Sequence, residues 1–157
     1  MFSYDAHFSG NDTTAMRYLE SAVRNAPPER LRLMLIEKAV GLCSAISVRW
    51  KAKRPDIGCD EQTLHVRDIF TELLSSVIRT DLPVAQQVAD LYVFLSQHLT
   101  TAEMQRDVTM IDEIRLVLET EAETWRIICE TIANQAKQQP SRQASSVPRP
   151  AGLNLQG

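Results

Sequence analysis

Apolar side chains recur every three or four residues through four stretches of the chain, and polar residues fill the intervals. That spacing keeps one side of an α-helix apolar. The first stretch starts at Pro28 and reaches about Lys51, with Leu31, Met34, Leu35, Ala39, Leu42, Ile46 and Trp50 in step. Pro28 suits a first helical turn, where a missing N–H costs nothing. Arg54-Pro55-Asp56-Ile57-Gly58 then breaks the pattern.

The second stretch runs from about Asp60, which suits an N-cap, to Arg79. Leu64, Val66, Ile69, Phe70, Leu73, Val77 and Ile78 give it a wide apolar stripe. The third begins near Pro83 and continues to about Thr101, with Val84, Val88, Leu91, Leu95 and Leu99 on its inner face. The fourth extends from near Asp107 to about Asn134 through Val108, Ile111, Ile114, Leu118, Trp125, Ile128 and Ile132. Charges including Asp112, Glu113, Arg115, Glu119, Glu121, Glu123, Arg126 and Glu130 mark its outer face. Nothing glycine-rich separates the third and fourth stretches, which predicts a kink or short corner there.

Four such helices with short joins predict an all-α fold, an antiparallel four-helix bundle. No run of alternating β-branched residues bounded by turns argues for a sheet. The division is a flexible N-terminal segment over 1–25, a bundle over 26–135 and a disordered tail over 136–157. The tail is polar and proline-rich, with too little apolar surface to offset the entropy of ordering it.

Composition narrows the class. The 157 residues, 44% hydrophobic and 24% charged, fit one soluble domain. With 5 glycines, glycine-dependent sandwiches and dinucleotide-binding folds are disfavoured. No apolar run approaches the ~20 residues of a membrane span, and the N-terminus lacks a secretory pattern. Cys43, Cys59 and Cys129 are widely spaced without a CxxC, which predicts reduced thiols in the cytoplasm. Net charge is −3 overall, but 136–157 carries Lys137, Arg142 and Arg149 and no acid. Residues 1–135 therefore hold 14 basic against 20 acidic side chains, a net −6. Such an acidic body argues against nucleic-acid binding. The basic run Arg49-Trp50-Lys51-Ala52-Lys53-Arg54 reads as a solvated helix end.

A search for catalytic chemistry finds none. His7, His65 and His98 do not follow a glutamate by three, so the ligand pairs of di-iron bundles are missing. There is no His-Glu-x-x-His, P-loop or Gly-x-Ser-x-Gly. The expectation is a non-enzyme with no cofactor and no metal. Cys43, Cys129, Trp50 and Trp125 read as packing residues, His98 as a rim histidine, and Cys59 as the thiol that reacts readily.

What stands out is apolar surplus. The pairs Ile69-Phe70, Leu73-Leu74 and Val77-Ile78, and the run Leu91-Tyr92-Val93-Phe94-Leu95, cover more than half of each helix's circumference. Such helices are either central in a core or present a second face to a partner. Periodicity alone leaves both open, with a wide core slightly ahead.

The stretch Tyr18 to Ala39, with Tyr18, Val23, Ala26, Pro28, Leu31, Met34, Leu35 and Ala39 in register, resembles the flagellar export chaperone family FliS. Asp68-Ile69-Phe70-Thr71-Glu72-Leu73 is similar to the family's second-helix core. Leu91-Tyr92-Val93-Phe94, Leu99, Ala102, Asp107, Glu113, Leu116 and Trp125 follow its later spacing. Departures include Ile36 and Lys38 for a tyrosine and a glycine, Gln97-His98 for an arginine pair, Glu103 for an asparagine, and Pro27 for the usual capping serine or threonine. The resemblance implies a small cytoplasmic bundle that binds the C-terminal segment of flagellin without catalysis. It would prevent premature polymerisation and keep the subunit competent for flagellar type III secretion. Other flagellar export or regulatory components are further partners of this reading. Tyr18, Ile69, Leu73, Val77, Leu91, Tyr92 and Phe94 are the partner-binding residues it implies, with Tyr18 as a competitive plug. The chain would be a monomer or weak homodimer. The alternative is an adaptor or regulator that binds another amphipathic helix, as a homodimer in one form.

Overall fold

The computed structural model describes residues 11–52, 61–79, 81 and 83–139. Among them the chain forms helices only: α1 (Asn11–Asn25), α2 (Pro28–Lys51), α3 (Glu61–Ile78), α4 (Ala85–Gln105) and α5 (Val108–Gln138). Helices α2 to α5 close an up-down-up-down ring in which each packs on its chain neighbours and α5 returns to α2. Polar contacts across the seams give the antiparallel sense. Lys51 reaches Asp112 and Arg126 reaches Glu37 between α2 and α5. His98 meets Glu113 between α4 and α5.

α2 begins and ends where the sequence pattern places it. Pro28 opens the helix after Pro27, at φ −58°, ψ 153°, and no side chain caps it. Instead the Leu31 N–H donates to the Pro27 carbonyl at 3.0 Å. The corner between α4 and α5 is tight and glycine-free. Arg106 adopts the left-handed conformation at φ 53°, a position where glycine is the usual residue. Asp107 then caps α5, its carboxylate accepting from the Thr109 N–H at 2.9 Å and the Met110 N–H at 3.4 Å. The Arg106 guanidinium lies over the Trp50 ring, 5.3 Å from its centroid, and ties this corner to the end of α2.

The core is filled by Leu33, Ile36, Ile46, Phe70, Leu73, Leu95, Leu99, Ile111, Ile114 and Leu118, all essentially inaccessible. Their spacing on each helix follows the three-four step that the sequence shows, as a bundle seam requires.

Two boundaries differ from the sequence expectation. Residues 11–25, assigned to a flexible segment, form α1, with Met16, Leu19 and Val23 on one side. Residues 136–138, assigned to the tail, continue α5, because no helix breaker precedes Pro140. Residues 1–10 and 140–157, and with them most of the expected tail, lie outside the described residues, as do Cys59 and Asp60.

Candidate functional site

The seven residues marked out by the sequence do not lie on one surface. On α3 the buried positions are Thr63, Val66, Phe70, Leu73 and Val77. Leu73 is 1% exposed and Val77 is also buried. Both expectations are corrected: in this fold they are core residues. The doublets along α3 divide between its faces, and Leu73 and Val77 share the inner one with Phe70 through their three-four spacing. Of the doublets, Ile78 faces solvent, and Leu64 near the start of α3 is exposed as well.

On α4 the inner face is Tyr92, Leu95, Leu99 and Ala102. Tyr92 is therefore corrected as well, from partner contact to core. Its neighbours differ: Leu91 is half-buried and Phe94 is 54% exposed. Phe94 stacks on His98 at 5.4 Å between ring centroids. His98 Nε2 in turn lies 2.8 Å from Glu113 Oε2 of α5. Leu91 and Phe94 thus face the α4–α5 side. Ile69 is half-buried on the other flank of the bundle, one heptad before Ser76, whose hydroxyl accepts from Arg32 of α2. Tyr18 stands apart on α1, 76% exposed.

α1 itself carries a solvent-facing apolar side. Met16, Leu19 and Val23 are exposed at i, i+3 and i+7, with Tyr18 beside them. The sequence contained that spacing, but it is short and sits among polar residues, so it did not register as a helix. Leu116 and Ile127 add exposed apolar side chains on α5. Thr120, Thr124 and Thr131 send their hydroxyls back to carbonyls four residues earlier, at 3.0, 3.2 and 2.9 Å. Their hydroxyls are thereby satisfied within the helix, so this side of α5 presents little unmet polarity.

Beneath these surfaces lies a polar cluster that sequence reasoning missed. Arg32 of α2 donates to Ser76 Oγ of α3 at 3.0 Å and to the Tyr92 hydroxyl of α4 at 3.1 Å. The Tyr92 hydroxyl donates to Glu121 of α5. The Arg32 guanidinium also stacks over Trp125, 4.8 Å from the ring centroid. Burial, with the neighbouring Glu121 charge, pushes the Tyr92 hydroxyl far above its ordinary range, so it stays protonated as a donor. Glu121 was expected on the charged outer face of α5. It is instead largely buried, because a single helical turn brings it round beside Tyr92.

Among the described residues, no group of three His, Cys, Asp or Glu side chains is placed to hold a metal ion. Nor is any of their helices long and apolar enough to cross a membrane.

The family model described as "Flagellar protein FliS" matches residues 10–132. The chain belongs to the FliS family of flagellar export chaperones. The match takes in α1 to α4 whole and α5 through Ile132, so it covers both the bundle and the helix that projects apolar side chains from it. No curated protein matches the chain.

Proposed function

We propose that this chain is a cytoplasmic chaperone that holds the C-terminal segment of flagellin before export. The observation that carries the reading is Phe94. It is a large apolar side chain left 54% exposed on a helix whose inner face is already filled by Tyr92, Leu95 and Leu99. With Leu91 it offers apolar surface at helical spacing, the form in which one amphipathic helix accepts another. Ile69 contributes from the other flank, and a long partner that wraps the bundle can touch both. Wrapping also suits a partner that is unstructured when free, since ordering it offsets part of the contact free energy. Binding of this kind shields the segment from polymerising and requires no catalysis, cofactor or nucleic acid.

Fluorescence anisotropy with a labelled peptide from the cognate flagellin C-terminus tests this. Wild type should bind at micromolar concentrations or below. Phe94→Ser should weaken binding by about tenfold or more, with an unchanged CD melt, as expected for an interface anchor. Leu64→Ser, on the exposed side of α3, serves as the comparison and should bind like wild type. No complex with a folded bundle would sink the proposal.

The second reading, an adaptor that pairs through a helix with another copy, draws on α1. Its Met16, Leu19 and Val23 are exposed and have no core to enter. A mass at the monomer value across a concentration series in light scattering would count against it.

A further inference from the structure

Phe94 lies outside the buried face of α4, which is formed by Tyr92, Leu95, Leu99 and Ala102. An exposed aromatic side chain lacks the close packing that holds a core residue in one rotamer. A partner that binds it must then immobilise it, and that lost freedom weakens the complex.

One contact supplies the missing restraint. Phe94 and His98 are i and i+4 on α4, so they share a side of the helix. Helical side chains lean toward the N-terminus, which carries the His98 ring back over the turn that holds Phe94. The two rings stack, 5.4 Å apart between centroids and 21° from parallel. His98 is braced in turn from the next helix, where its Nε2 donates to Glu113 Oε2 of α5 at 2.8 Å. An ionised carboxylate only accepts, so this contact requires the proton on Nε2 and orients the ring. The brace therefore runs from a carboxylate on α5, through an imidazole, to the phenyl ring on α4.

Glu113 keeps 58% of its side-chain surface exposed. A polar pair that open to solvent contributes little to folding. Its consequence falls instead on the ring that it aligns.

We infer that His98, held by Glu113, is a positioning residue that pre-orients Phe94 for the partner helix. The inference rests on the reading of Phe94 as an anchor for the flagellin C-terminal segment. It adds that the affinity of a side chain on α4 is set in part from α5, through a group that acts on the partner only by way of Phe94.

The experiment measures anisotropy with the flagellin C-terminal peptide on full-length variants, each made with Phe94 present and again with Phe94→Ser. With Phe94 present, His98→Ala should weaken binding about threefold, the scale of one side chain left to be ordered on binding. The CD melt should stay close to that of wild type. Glu113→Ala should weaken binding by a similar factor, and the two changes together should do no more than His98→Ala alone, because they remove one brace. His98→Gln keeps an N–H at similar reach and a flat amide over the phenyl ring, so it should bind within about twofold of wild type. In the Phe94→Ser background all of these changes should leave the remaining affinity unaltered. A penalty from His98→Ala that persists without Phe94 refutes the inference, since His98 would then act on the partner or on the fold directly. Equal binding of wild type and His98→Ala refutes it as well. A peptide that fails to bind wild type, or that binds Phe94→Ser as tightly as wild type, overturns the reading of Phe94 as the anchor and the inference with it, a result distinct from the other two.

Discussion

The Tyr92 hydroxyl donates to the Glu121 carboxylate and thereby fastens α4 to α5 inside the bundle. Tyr92 is fully buried, and the same oxygen accepts from Arg32 of α2 at 3.1 Å. One phenol thus organises charges from two other helices. Tyr92→Phe keeps the ring and removes that link. We expect a loss of about 1–3 kcal/mol in urea unfolding, the cost of buried partners left unsatisfied. Glu121→Ala should cost more, about 3–5 kcal/mol, because it strands the Arg32 charge. A smaller loss for Glu121→Ala than for Tyr92→Phe would contradict this account of the cluster.

Asp112 sits at the α2–α5 seam, 3.4 Å from Lys51 and 3.7 Å from Arg115. Desolvation is the largest single influence and works to raise its pKa, but the Ser47 hydrogen bond, the Lys51 charge and hydrogen bond and the Arg115 charge together outweigh it and hold the carboxyl below its ordinary value of 3.8. A depressed folded value gives stability that is present above the unfolded pKa and lost as pH falls through the folded one. Wild type should therefore melt above Asp112→Asn at neutral pH. The gap should close as pH drops below about 3.8. Melting curves of both proteins across that range check it, and a gap independent of pH would refute it.

Burial pushes the Cys43 thiol up to about 12. Since the thiolate is the reactive form, Cys43 should resist iodoacetamide in the folded protein at pH 8. Cys129, half-exposed on α5, should be alkylated before Cys43. Peptide mapping by mass spectrometry over a time course distinguishes the two. Equal rates would mean that the α2 core opens far more readily than its packing allows.

Gly41 lies in the interior of α2 on its exposed side, and a Cβ built there meets nothing within 4 Å. Alanine restricts the unfolded backbone and is the better helix former. Gly41→Ala should stabilise the bundle by about 0.5–1 kcal/mol in chemical denaturation. A destabilised variant would show that this surface is closed by something else.

Legibility in the sequence was uneven. The limits of α2 were readable because both signals are local: Pro28 opens the helix and the Arg54–Gly58 stretch follows its end. The α4–α5 corner was readable as a corner but not as a mechanism, because an arginine takes the left-handed position that glycine usually holds. α1 was missed, since its apolar stripe is three positions long and does not join the core. Leu73, Val77 and Tyr92 were placed among the contact residues because adjacent apolar pairs do not say which member faces inward. Arg32 and Glu121 were missed for a different reason: a charged residue on an amphipathic helix reads as solvent-facing unless its partner is known.

The sequence by itself determined that this chain forms helices, roughly where each lies, and that they have more apolar surface than a simple bundle seam needs. Hydrophobic spacing acts within a few turns of one helix, so it is fully written in local order. The tertiary structure decided the rest. It chose which of Phe70 or Ile69, and which of Leu95 or Phe94, enters the core. It also brought Arg32, Ser76, Tyr92 and Glu121 together from four helices. That choice depends on how the helices rotate against one another, and the meeting of charges distant in sequence is settled only when all four pack at once.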